Sequence, residues 1–187
     1  MLPLFFIAAL YPLVSFDAPA GEGKPLTAVS RVDLSRYVGK WHEIARLPNR
    51  FQSGCDHSTA EYSLRDDGKV RVVNTCRKEN GEIDQAEGVA EVVEPGSQAS
   101  QAKLKVSFLP GWLRWTGIGK GDYWIIDLAP DYSYAVVSEP KRQYLWILSR
   151  RSALSRREYE GILDRLRTQG FDLSQLIVSG KILDELG

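Results

Sequence analysis

The sequence predicts an all-β fold: an eight-stranded antiparallel up-and-down β-barrel with one α-helix packed against its outside. Three observations predict it. From about 39 to 150 the chain runs as short segments rich in β-branched and aromatic residues, separated by turn signals at the spacing of an all-β barrel or sandwich. Several segments alternate strictly: Lys103, Lys105 and Ser107 are polar while Leu104, Val106 and Phe108 are not, so one face meets water and the other an apolar interior. A single later stretch carries a helical period with caps at both ends.

The chain has 187 residues, enough for one domain with a real core. Its twenty-four basic and twenty-four acidic residues cancel, so nothing argues for a nucleic-acid surface. Residues 1–20 differ from the rest: MLPLFFIAALYPLVSF is apolar, uncharged and short for a bilayer span. Ala18-Pro19-Ala20 then supplies a small-x-small cleavage pattern. An export signal is the expectation; the absence of Lys or Arg before the run keeps an uncleaved anchor as the alternative. Residues 21–32 read as a flexible lead-in, 33–180 as the folded domain and 181–187 as a tail.

Eight strands are read in order: 39–47, 56–65, 69–77, 84–93, 101–109, 121–128, 133–139 and 142–150. Asp66-Asp67-Gly68 turns the second into the third, since glycine adopts positive φ at low cost. Glu94-Pro95-Gly96-Ser97 and Ala129-Pro130-Asp131 mark later turns. Strands 121–128 and 142–150 are apolar on both faces, so something must cover them outside. The cover is the helix begun by Ser155-Arg156-Arg157-Glu158, a capping box. Tyr159, Ile162, Leu163 and Leu166 form its apolar stripe and Gly170 suits its C-terminal cap. Leu176-Ile177-Val178 reads as a ninth strand at the barrel edge.

In up-and-down order every second loop falls at the same end. The connections after strands one, three, five and seven are read as long and place the mouth; those after two, four and six are read as tight. Trp41 then lies at the closed end, and closure brings Arg150 beside it, a favourable cation–π arrangement.

These residues resemble the lipocalin family, most closely its bacterial outer-membrane branch. Gly39-x-Trp41 resembles the first family motif, Asp131, Tyr132 and Tyr134 the second, and Arg150 the third; WHEIARLPNRF, YSLRDDG and YLWILSR resemble the bacterial branch. The resemblance implies a calyx for small hydrophobic ligands, fatty acids or lysophospholipids, in a protein of the periplasm or cell envelope. It implies no cofactor and no chemistry. Relatives of this branch carry a lipid-bearing cysteine that is not seen near the apolar run.

Trp41, Arg150, Tyr132 and Tyr134 are expected to brace the floor. By alternation the ligand-facing wall comprises Ala60, Tyr62 and Leu64; Val70, Val72 and Asn74; Ala86, Gly88 and Ala90; Leu104, Val106 and Phe108; and Tyr144 with Trp146. Small residues on the fourth strand favour a cavity over a solid core. Tyr62 and Asn74 offer hydrogen bonds to a headgroup or to each other. Trp112 and Trp115, in LPGWLRWTGIGKG beside Arg114 and Lys120, suit a lipid interface or an anionic amphiphile. The alternatives for that loop are a lid and a homodimer contact.

Cys55 and Cys76 lie on neighbouring strands. A disulfide pinning the first loop to the rim is favoured, and ideal hairpin register would need a bulge to permit it. The rival is a thiol enzyme acting on lipids, for which only His57 is at hand as a base. His42 and His57 are the whole histidine inventory, so no zinc site is expected. Glu43 shares parity with Trp41 and would need a partner inside the barrel.

Overall fold

The computed structural model describes residues 24–93, 101–109 and 119–184. The expectations for the export signal and for Trp112 and Trp115 lie outside the described residues.

Asp33 caps a single turn, α1 (Leu34–Tyr37), by accepting from the Ser35 N–H. The barrel follows: β1 (Gly39–Arg46), β2 (Cys55–Leu64), β3 (Val70–Lys78), β4 (Ile83–Val92), β5 (Lys103–Ser107), β6 (Lys120–Leu128), β7 (Tyr134–Ser138) and β8 (Leu145–Ser149). Each strand pairs antiparallel with the next, and β1 pairs β8 to close the barrel. All eight predicted strands are present, with ends displaced by at most three residues. After β8 come β9 (Ala153–Ser155), α2 (Arg156–Thr168), β10 (Ile177–Val178) and β11 (Lys181–Leu183).

Alternation sorts the side chains into two cores. Inward residues form one with α1: Trp41, Ala60, Tyr62, Val70, Val72, Ala90, Leu104, Ile125, Val137 and Leu148. Outward Ile126, Val136, Leu145 and Ile147 form the other against Tyr159, Ile162, Leu163 and Leu166 of α2. This explains the strands that are apolar on both faces. The α2 capping box is formed in both directions, with Ser155 accepting from the Glu158 N–H and Glu158 from the Ser155 N–H.

Several expectations are corrected. The connection after the third strand is a tight turn, 79–82, with Gly81 at φ 84°; the long one follows the fourth, 93–102. Gly, Asn and Glu at the first site set a turn geometry that loop composition had hidden. The lead-in is docked from residue 24: Leu26 and Val32 are buried, and the Val29 N–H donates to the Ile125 carbonyl. Lys181–Leu183, read as tail, is β11, parallel to β9. Tyr134 faces α2 and not the floor, its hydroxyl accepting from Arg165 at 2.8 Å. Leu64 has inward parity but is 51% exposed at the hairpin end.

The predicted edge strand pairs where the barrel splits. β1 pairs β2 only over Gly39–His42, and beyond that β10 occupies the same edge, with Val178 opposite Ala45 and Ile177 opposite Arg46. The Ser179 and Gly180 N–H groups both donate to the Ile44 carbonyl. A Cβ on Gly180 would stand 2.9 Å from the Ile44 Cα, so this seam requires a glycine.

Candidate functional site

The floor is closed by α1 and a cation–π stack. The Arg150 guanidinium carbon lies 3.8 Å from the Trp41 ring centroid. Its Nη2 donates to the Arg36 and Tyr37 carbonyls at 2.8 and 3.0 Å and its Nη1 to the Lys40 carbonyl at 3.1 Å, while the Trp41 indole donates to the Tyr37 carbonyl at 2.8 Å. Gly39 adopts φ 97° with Arg150 Nη1 only 3.2 Å from where a Cβ would sit, which explains the glycine two residues before the tryptophan. Tyr132 braces the same end: its hydroxyl accepts from the Asp33 N–H and Arg36 lies over its ring. Asp131 accepts from the Ser133 N–H and so shapes that turn.

Just above this floor three tyrosines meet. Tyr62 on β2 and Tyr123 on β6 reach toward each other from opposite walls with hydroxyls 2.9 Å apart, and the Tyr37 hydroxyl from α1 lies 2.7 Å from that of Tyr123. Burial raises all three phenols well above their ordinary range, Tyr62 to about 12, so they are neutral hydrogen-bonding groups at physiological pH. Beneath them a void of about 10 Å³ is left between Leu34, Val38, Val70 and Leu104, room for no more than one water.

From this level to the mouth, inward residues become accessible. Tyr123, Val106 and Trp146 are half-buried, and Asn74, Ala86 and Gly121 are exposed although their parity directs them into the barrel. The described part of the barrel is therefore not packed to its rim. Phe108 is 41% exposed and lies against Gly88, where a Cβ would fall 2.8 Å from its ring. The space left at Gly88 is therefore filled by Phe108, while that at Ala86 stays open. Tyr62 bonds Tyr123 and not Asn74.

One wall carries a polar network. Glu43 and Arg46 are 3% and 5% exposed and form an ion pair of 2.7 Å. Gln52, from the first loop, donates to Glu43 and to Ser58 Oγ and accepts from the Trp146 indole at 2.8 Å and from Asn49 at 2.9 Å. Arg46 Nη2 also donates to the Cys55 carbonyl, and the Ser179 hydroxyl donates to Glu43 at 2.9 Å. Both bonding groups of the Gln52 amide are thus engaged at each end, and its loop is held over one side of the mouth. Cys55 and Cys76 are joined in a disulfide that fastens the same loop, with Cα atoms 5.5 Å apart. The bulge between Cys55 and His57 supplies the register shift it needs. The bond leaves no thiol, and so the reading of a cysteine enzyme has no nucleophile in this structure. His42 and His57 lie side by side, ring centroids 5.9 Å apart, and burial lowers the pKa of His42.

At the rim Tyr144 stacks on Trp146, 6.0 Å between centroids, and meets Phe51 at 5.7 Å. Phe51, in the first loop, and Ile83, the first residue of β4, both at this end, are 64% and 62% exposed. Among the described residues no helix is long and apolar enough to cross a membrane.

A floor braced by arginine on tryptophan, under an open eight-stranded cup, is joined by a sequence comparison: the lipocalin-like domain model matches residues 32–181. The chain belongs to the lipocalin family. Relatives include the outer membrane lipoprotein Blc of Escherichia coli, 37% identical over 95% of each chain. Temperature-induced lipocalin-1 of Arabidopsis thaliana is 38% identical over 83% of this chain and 82% of that protein. Among solved structures, insecticyanin of the tobacco hornworm Manduca sexta superposes with a TM-score of 0.63 at 27% identity, covering 82% of both chains. Lipocalins bind and carry small hydrophobic molecules, and the lipocalin cup described above is built to that purpose.

Sequence reasoning missed Tyr37, Tyr123, Arg46, Gln52 and Ser58. Tyr123 sat in a strand read only for its external cover. Arg46 turns inward because the bulge between Glu43 and Ala45 shifts parity, a change with no local signal.

Proposed function

We propose that this lipocalin binds and carries a single-chain amphiphile, a fatty acid or lysophospholipid, in the cell envelope. The observation that carries the reading is the graded interior, sealed at Trp41, packed at Val72 and Leu104, and accessible from Tyr123 and Val106 to Trp146. Burying about fourteen methylenes at ~0.8 kcal/mol each contributes roughly 11 kcal/mol. Ordering costs of several kcal/mol offset this, leaving micromolar affinity or somewhat better. In this reading Tyr62, Asn74, Val106, Phe108, Tyr144 and Trp146 line the ligand, while Val72 and Leu104, expected to do so, are packed around the void beneath the tyrosines. The apolar N-terminal segment and the relatives named as outer membrane lipoproteins support the envelope location.

Titration of delipidated protein with palmitate and lysophospholipid, followed by tryptophan fluorescence and native mass, tests it; folded protein that binds neither refutes it. Trp146→Ala weakens binding about tenfold or more, while Lys103→Ala, whose ammonium lies outside over Trp124 at 4.3 Å, changes it less than about twofold. Mass spectrometry of lipid extracted from the natively purified protein identifies the cargo.

A second reading, in which the mouth meets a lipid surface to exchange its ligand, is favoured by exposed Phe51 and Ile83. Vesicle flotation that is unchanged by Phe51→Ser with Ile83→Ser, and by Trp112→Ser with Trp115→Ser, refutes that contact.

A further inference from the structure

The three tyrosine hydroxyls form the true bottom of the usable cavity. Tyr62 and Tyr123 stand on strands four apart in an eight-stranded barrel, so their contact bridges the lumen from wall to wall. Among the described residues, the void below the bridge measures about 10 Å³. Above it Tyr123 is half-buried, so the open cavity reaches down to it. From Tyr62 to Cys55 at the rim is roughly 23 Å of strand at ~3.3 Å per residue, or roughly 18 Å of depth at a tilt of about 40°. An extended acyl chain entering tail-first ends at the tyrosines.

Hydrogen counting shows what the bridge lacks. Three hydroxyls carry three donor hydrogens, and among the described residues two contacts link them, Tyr37 to Tyr123 and Tyr62 to Tyr123. Whichever way each bond points, one hydrogen is left over. A methyl terminus would leave it unpaired, which a buried donor does not tolerate without loss of affinity. The charges around the cavity decide which acceptor fits. Glu43 and Arg46 neutralise each other on the upper wall, and Arg150 lies across the Trp41 ring with its donors committed to main-chain carbonyls. An ionised carboxylate at the bridge would lack a countercharge, whereas an uncharged oxygen needs only one donor.

We propose that the Tyr37–Tyr123–Tyr62 bridge is a binding site for an uncharged oxygen, a hydroxyl or oxo group, carried on the buried part of the ligand's acyl chain. The preferred cargo is then an oxygenated single-chain lipid with its headgroup at the mouth. The inference rests on the carrier reading above and refines it.

The test measures the affinity of delipidated protein for octadecanoic acid and for a series bearing one hydroxyl or oxo group near the carboxyl, at mid-chain or toward the far terminus. The expected result is a preference of about five- to tenfold for oxygen toward the far end, falling away as the group moves to the carboxyl. In the Tyr37→Phe/Tyr62→Phe/Tyr123→Phe variant the ratio of affinities between the far-end oxygenated acid and the plain acid drops to about one. Equal affinity across the series in the wild type overturns the site and leaves the carrier reading intact; no binding of any acid overturns both. If the triple variant does not fold, the positional series in the wild type decides alone, and a flat series overturns the site.

Discussion

The buried pair of Glu43 and Arg46 offers the sharpest test of how the cup is held. Arg46 is 5% exposed, with Nη1 on Glu43 at 2.7 Å, Nη2 on the Cys55 carbonyl at 3.2 Å and Nε without a partner. Glu43 also receives Gln52 and Ser179. Glu43→Leu strands a buried cation on two main-chain carbonyls, and Arg46→Met strands a carboxylate that keeps two neutral donors. Breaking a buried pair from one side costs about 3–5 kcal/mol; the surviving donors put Arg46→Met at the lower end, about 3. The double substitution removes both charges, together with the unpaired Nε, and leaves apolar volume in their place. It is expected within about 1 kcal/mol of wild type, so the coupling approaches the summed cost of the two single changes. Urea unfolding at pH 7 with the disulfide intact reads this directly. At a slope of about 2 kcal/mol per molar, each single variant shifts the midpoint by roughly 1.5–2.5 M and the double by less than about 0.5 M. A double variant as unstable as the two singles added would refute the reasoning, since the pair would then act as two independent supports.

Three further outcomes follow from the same geometry. Arg150→Lys loses the flat stack on Trp41 and at least two of the carbonyl bonds, costing about 1–3 kcal/mol in thermal or urea unfolding; wild-type stability in that variant refutes the role given to the guanidinium. Cys55→Ser with Cys76→Ser opens a loop spanning a separation of 21 residues, and chain entropy sets the loss at about 3 kcal/mol. The reduced variant should still bind lipid, and complete loss of binding by folded protein would contradict a purely structural bond. The three bridging phenols have folded pKa values raised above the unfolded value, so the stability they contribute is full below pH ~10. It is lost as pH rises from there, through about 12 for Tyr62 and higher for the other two, with a slope of about 1.4 kcal/mol per pH unit for each phenol ionised only in the unfolded chain. The triple Tyr→Phe variant flattens that alkaline limb, and an unchanged limb refutes the burial argument.

The features legible in sequence are those with a local cause. Inside-outside alternation names Leu104 and Lys105 on opposite faces without reference to any other strand, and Asp67-Gly68 or Ser155 with Glu158 announce a turn and a cap from residues that touch each other. Trp41 and Arg150 needed one step more, the closure of the first strand on the last, and that step is dictated by barrel geometry. Cys55 and Cys76 were legible as a pair only on condition of a bulge.

What tertiary structure alone decided lies where a residue count or a distant register intervenes. One extra residue on β1 between Glu43 and Ala45 inverts parity, turns Arg46 into the cavity and opens the seam that β10 fills. The tyrosine bridge joins α1, β2 and β6, elements 25 and 61 residues apart in sequence by their tyrosines, and depends on the stagger accumulated around the whole barrel. Phe108 fills the space at Gly88 because of where β5 ends relative to β4. The sequence by itself determined that there is a cup, since alternation is a property of each strand. The depth of the cup, its polar wall and the donor at its base were decided by how the strands are staggered, since each depends on residues that meet only across the lumen.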